Sequence, residues 1–319
     1  TLKGIKIGGD LILAPGVTKD VTLVDCVIQG NIRNYGTGEV RFEAPQITPE
    51  STATKPSEVY KPGATLDRTL EYGGKTVPIY RDRPLNVFSD VDFIWTGEEN
   101  ENQRRLEYLG GEFRTRYGID VSSFQGEIDW DAVADDNIDF AMVRVGFRGT
   151  GTGSLNTDKY YEQNIRGAMR AGLETGVYFF AQAVTVEEAI EEADYVISLL
   201  DGLDINGPVA YDWEMHDSTY RVYGTSPEMA TACAVAFCQR IKDAGYTPMV
   251  YGGTYVTYMK YDQGALADYL SWYPEYKSEK SEKLCPTLVY HMDYWQFSSS
   301  RAVAGINGRV DMNIQFIRR

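Results

Sequence analysis

From Tyr117 onward, short apolar runs alternate with longer runs in which apolar residues recur every three or four positions. The short runs read as strands: YGIDVSS, DFAMVRVGF, ETGVYFFAQ, GPVAYDWE, TPMVYGG, LSWYPEY, LVYHMDYWQF and GRVDMNIQF. Between several of them lie YYEQNIRGAMRAG, TVEEAIEEADYVISLL and SPEMATACAVAFCQRIKDAG, which carry helical periodicity. The last opens on Ser226–Pro227–Glu228 and closes at Gly245, a capped start with an early proline and a glycine stop. Strand–helix alternation through about eight strands predicts an α/β fold, a parallel barrel of the TIM type. The later strands are joined by shorter, non-helical connections. The expectation is therefore an irregular TIM-like (β/α) barrel whose helices are degraded in its second half.

The preceding residues have another rhythm. In 1–43, the runs IKI, LIL, VTLV and CVIQGNI are separated by turn signals such as GGD and APGVTKD, which predicts a small all-β N-terminal module, with stacked β-helix-like turns as one form. Residues 44–63 are rich in Pro, Ser and Thr and suit a linker or extended strap. Within 64–116, TVPIY and DVDFIW are strand candidates, and GEENENQRRLEYLGGEFRTR reads as surface loop and hairpin. The expected organisation is 1–43 module, 44–116 linker and β-rich extension, and 117–319 catalytic barrel.

Charge sharpens that division. The 319 residues carry a net charge of −15. Residues 1–116 hold 15 basic and 17 acidic side chains, whereas 117–319 hold 16 and 29, so the acidity belongs to the second part. Such a chain is a poor partner for nucleic acid, whose phosphates would repel it. No apolar run reaches the length of a membrane span. The chain opens at Thr1 with no leader-like segment, which reads as a mature or trimmed form. Cys26, Cys233, Cys238 and Cys285 form no metal-type pairs and read as small buried thiols. With His216 and His291 the only histidines, a His-rich metal site or a Ser–His–Asp triad is disfavoured.

Chemistry in such barrels sits at the carboxyl ends of the strands. The first strand ends on Asp120, the fourth on Asp212 and Glu214, and the last contains Asp311. Side chains two apart on a strand share a face, so Asp212 and Glu214 project together and Trp213 points away. Several acids around one pocket suit glycosidic hydrolysis, where one must be protonated and another ionised. Aromatic residues at strand ends add a sugar-binding character: Tyr178, Phe180, Tyr211, Tyr251, Trp272 and Trp295, with Gln296 as a polar contact. Of the 23 tyrosines, 18 lie after residue 116, which concentrates this aromatic character in the expected barrel.

The succession GIDVSSFQGEIDW, GVYFF, AYDWE, YWQFSSS and VDMN resembles the glycoside hydrolase family 25 muramidases, over about 117–319. The resemblance implies hydrolysis of the β-1,4 bond between N-acetylmuramic acid and N-acetylglucosamine in peptidoglycan. It implies an irregular barrel of about five helices and a retaining mechanism. Matched by motif, Glu214 is the general acid/base, Asp212 its partner, and Asp120 and Asp311 the flanking acids. Attack by a carboxylate and attack by the substrate's acetamido group are both open, with Asp212 orienting the acetamido in the second route. This chain departs from many members in carrying Phe179 where they carry His, which would alter substrate positioning. The expected partner is the peptidoglycan glycan strand, acting outside the cell or at its wall, with no metal, no cofactor and no set oligomeric state. Two alternatives use the same acids differently: a chitinase-like hydrolase, disfavoured by Val209, Ala210 and Tyr211 before Asp212, and a catalytically silent wall-binding protein.

Overall fold

The computed structural model describes residues 2–3, 6–7, 11–14, 16–24, 27–28, 32–35, 37–43, 54–63, 65–97 and 104–319. The chain divides into two compact units, Thr1–Ala53 and Thr54–Arg319. In the first, short strands pair in parallel. Leu2–Lys3 lies beside Val21–Val24, which lies beside Val40–Glu43. Lys6–Ile7 pairs with Val27–Ile28, and Leu11–Leu13 with Ile32–Asn34. Cys26 and the first half of the expected linker, 44–53, lie outside the described residues.

The second unit is built on a closed eight-stranded barrel. Its strands are β1 (Phe113–Val121), β2 (Phe140–Arg148), β3 (Glu174–Ala181), β4 (Val209–Trp213), β5 (Pro248–Tyr251), β6 (Leu270–Pro274), β7 (Tyr294–Arg301) and β8 (Val310–Arg318). Helices α1 (Trp130–Asp135), α2 (Tyr161–Arg170), α3 (Val186–Leu199), α4 (Pro227–Asp243) and α5 (Thr254–Met259) fall between them. Strands β1 to β7 follow one another in parallel, and β1 pairs with β2.

The fully parallel barrel expected from strand–helix alternation is corrected at one place. Strand β8 runs antiparallel to both β7 and β1 and closes the barrel between them. The connection from Arg301 to Val310 is too short for the dozen or more residues that a parallel crossover needs, so the chain turns back as a hairpin. The start of β8 therefore joins the carboxyl ends of the other strands.

Alternation then decides what fills the barrel. Phe140, Met142, Ala210, Met249, Tyr251, Trp272 and Tyr294 form an interior apolar cluster. Gly118 is needed in the same interior, because a Cβ there would stand 2.3 Å from the Phe140 ring. The opposite faces of the strands pack on the helices. Helix α4 is apolar on most sides, is capped by Ser226 accepting from Met229 N, and ends before Gly245 in a left-handed conformation (φ 92°).

Residues 54–116 belong to the same unit as the barrel. Strands Leu66–Tyr72 and Lys75–Tyr80 form a hairpin across Gly73 and Gly74, both at positive φ. Strand Arg105–Tyr108 pairs with Phe93–Thr96 inside the stretch expected as loop and hairpin. Phe88, Phe93, Tyr108, Phe113, Phe316 and His291 gather into one aromatic cluster at the amino end of β1, away from the carboxylates. His291 is thereby a packing residue, stacked on Phe113 at 5.0 Å.

Candidate active site

The inward-facing positions at the carboxyl ends of the strands are polar. Asp120 on β1, Arg144 on β2, Asp212 on β4, Gln296 on β7 and Asp311 on β8 line one cleft of about 420 Å³, with Glu214 just past the end of β4. Tyr178, Phe180, Tyr251, Trp272 and Tyr276 supply its aromatic walls. A second cavity of about 580 Å³ adjoins it and shares Glu214, His216, Tyr251 and Tyr276, so Glu214 stands where the two meet.

Gln296 organises the acids. Its Nε2 donates to Asp120 Oδ2 at 2.8 Å and to Asp311 Oδ2 at 3.1 Å, while its Oε1 accepts from Tyr251 Oη and Tyr276 Oη. Asn313 Nδ2 donates to the same Asp120 oxygen at 2.8 Å, and Asn313 is oriented by Trp272 Nε1 on its own Oδ1. Burial pushes the Asp120 carboxyl up to about 6, against the pull of Asn313 and Gln296. Burial and the neighbouring Asp120 and Glu214 push Asp311 up to about 8. Asp212 is raised well above the usual carboxylate range, first by burial and then by Glu214, with which it is in hydrogen-bonding reach. Its Oδ1 is buried with no partner in the structure. Four neighbouring acids thus cannot all be ionised together, and protons stay in the cleft at neutral pH.

Glu214 is held at both ends. Its backbone carbonyl accepts from Gln182 Nε2 at 2.8 Å, and its Oε2 lies 2.8 Å from His216 Nε2. The segment that follows is pinned by Arg221, which donates to Gln182 O and to both oxygens of Glu188.

The family described as glycosyl hydrolases family 25 matches residues 119–306, more than half of the chain, and that span contains Asp120, Asp212 and Glu214. The chain belongs to glycosyl hydrolase family 25. Its segment is 26% identical over 197 residues to an autolytic lysozyme of Clostridium acetobutylicum, covering 61% of this chain and 54% of that protein. It is 27% identical over 201 residues to Lysozyme M1 of Streptomyces globisporus, covering 61% and 66%. The chain thus spans about half to two thirds of the length of these relatives. The fold is shared with the spore cortex lytic enzyme SleM of Clostridium perfringens, at a TM-score of 0.54 and 22% identity, over 63% of this chain and 67% of that one.

Within this family 25 fold, the four acids expected from the strand ends come together, as do Tyr178, Phe180, Tyr251, Trp272 and Gln296. Two expected sugar contacts do not join them. Tyr211 is fully buried on the outer face of β4, with its ring 4.8 Å from Phe237 of α4. Strand alternation forces this, because Asp212 takes the inward position. Trp295 is likewise buried outside the barrel, edge-on to Phe93, with Nε1 on Glu275 O. The same alternation corrects the consequence expected at Phe179. Its ring packs toward Tyr195 of α3, and Phe180 is the neighbour that faces the cleft.

Sequence reading passed over Arg144, Asn313, Tyr276, Gln182 and His216. Two of them carried a signal. Arg144 follows Phe140 and Met142 at the two-residue period of an inward face, and Asn313 sits two after Asp311. Tyr276, Gln182 and His216 lie beyond strand ends, where periodicity says nothing.

Proposed function

We propose that this chain is a peptidoglycan muramidase that hydrolyses the β-1,4 bond between N-acetylmuramic acid and N-acetylglucosamine with retention of configuration. The observation that carries the reading is the position of Glu214, at the junction of two cavities and beside the buried, proton-holding Asp212. A polymer laid across both cavities presents its linking oxygen to Glu214, which donates the proton as that bond breaks and later takes one from water. Asp212, on the same cleft wall and beside Glu214, orients the acetamido group or stabilises the oxocarbenium-like carbon. Asp120, tied to Asp311 through Gln296, supplies negative charge behind that carbon once it ionises above about pH 6, while Asp311 keeps its proton. Tyr178, Phe180, Tyr251 and Trp272 form the sugar platform.

The names of the relatives, an autolytic lysozyme and Lysozyme M1, support a wall-directed role. No described helix is long and apolar enough to cross a membrane. The proposed setting is secreted or wall-associated and bacteriolytic. The proposed architecture is a TIM-like catalytic barrel over 117–319, preceded in sequence by a linker and β-rich extension over 44–116 and a small β-rich module over 1–43. The deciding experiment is reducing-end analysis of products from defined peptidoglycan. New muramic acid reducing ends are expected. N-acetylglucosamine ends, or cleavage of chitin oligomers in preference to peptidoglycan, would overturn the reading.

A further inference from the structure

Five charged side chains other than histidine line the catalytic cleft, and four are acids. The fifth is Arg144, and its guanidinium hydrogen-bonds none of them. Its Nε and Nη2 donate to Asp158 Oδ2 at 3.0 and 2.8 Å, and Nη2 also reaches Ser123 Oγ at 3.2 Å. Asp158 is buried and is itself held by the backbone N–H groups of Ser123 and Tyr160. The guanidinium is thus clamped from behind, in a fixed plane, and Nη1 makes no hydrogen bond among the described residues. It lies over the ring of Phe124, at 5.1 Å from guanidinium carbon to ring centroid. Phe124 stands at the cleft with 85% of its surface exposed. An arginine serving only to neutralise the catalytic acids would bond to them. A clamped, half-free guanidinium beside an open aromatic ring is instead arranged to receive a planar anion.

We propose that Arg144, with Phe124, forms a carboxylate-recognising subsite in the catalytic cleft that selects sugars carrying an acidic substituent on their 3-oxygen. The inference rests on the muramidase reading and names the feature that separates muramic acid from plain N-acetylglucosamine. Two carboxylates of the substrate share this chemistry: the lactyl group of a peptide-free strand and a free carboxylate of the attached peptide. The sign of the effect is diagnostic. The acidic protein repels an anionic strand in bulk, so amidating the strand would speed cleavage unless a local cation rewards the carboxylate.

The test compares kcat/KM within two matched pairs. The first is peptide-free glycan strands with lactyl carboxylates free or converted to amides. The second is peptide-bearing strands with the carboxylate of the second peptide residue free or amidated. The wild type is expected to favour the free carboxylate by roughly tenfold or more in one pair, which identifies the source. R144Q is expected to bring that ratio to about one or invert it, and R144K to keep part of it. Equal or amide-favouring rates of the wild type in both pairs, or an unchanged ratio in R144Q, would overturn the subsite while leaving the muramidase reading intact. Failure of the wild type to release muramic acid ends from any strand would overturn both. The wild-type ratios stand even if R144Q does not fold.

Discussion

Asp120 and Asp311 stand directly opposite each other on the antiparallel strands β1 and β8, and one amide nitrogen, Nε2 of Gln296, donates to both. Residues paired this way across a sheet are held close, and like charges in that position repel. The shared donor and the retained protons are what make the arrangement tolerable.

Gln296 is therefore expected to govern the acid limb of the pH profile. Its hydrogen bond lowers the Asp120 carboxyl toward about 6 from a still higher value. In Gln296→Leu that help is lost, and Asp120 stays protonated to higher pH. The acid limb of kcat/KM against pH should move upward, with a loss of roughly ten- to a hundredfold at pH 6. A limb that does not move would contradict the role given to Asp120.

Glu214→Gln should keep the fold and lose the chemistry. General acid catalysis is worth about 10²- to 10⁴-fold, and the loss should appear in kcat with little change in substrate affinity. Thermal unfolding and single-turnover hydrolysis of peptidoglycan check the two halves. Near-normal turnover would remove Glu214 from the mechanism.

Asp311 should cost the fold stability as pH rises. Its carboxyl is held near 8 in the folded protein, above its ordinary value of 3.8. Between those values the folded state keeps a proton that the unfolded chain releases, so stability is greatest at the acid end and is lost as pH climbs toward 8. Asp311→Asn removes this dependence. Its unfolding free energy relative to the wild type, read from denaturation at each pH, should rise from pH 4 to pH 8 by up to about 1.4 kcal/mol per pH unit and then level off. A difference independent of pH would show that Asp311 is not held protonated by the fold.

Gln182 and Arg221 hold Glu214 in place from behind the cleft. Gln182 holds the Glu214 carbonyl, and Arg221 ties Gln182 O to Glu188 on α3. Gln182→Leu and Arg221→Ala are expected to lower kcat by about tenfold with a smaller change in KM, since misplacing a catalytic group costs rate before affinity. Arg221→Lys should recover part of it. A change confined to melting temperature would reduce both residues to structural supports.

Local periodicity by itself determined a large share of this protein. It marked the eight barrel strands in order and the principal helices. It put Asp212 and Glu214 on one face, and by the same rule it already turned Tyr211 away from them. These features depend on neighbours within one element, which the order of residues states directly. The short connection after Arg301 excludes a parallel crossover, but only the tertiary structure decided that the returning β8 fills the gap between β7 and β1, because those are the edges left free when the barrel closes. That choice brings Asp311 to the end of the barrel where Asp120 and Asp212 lie, and sets Asn313 one layer below it. Gln296 as a bridge, Arg144 clamped on Asp158, and Gln182 holding Glu214 all join residues from different strands and loops. Such pairings are set by register and closure, and no spacing along the chain encodes them.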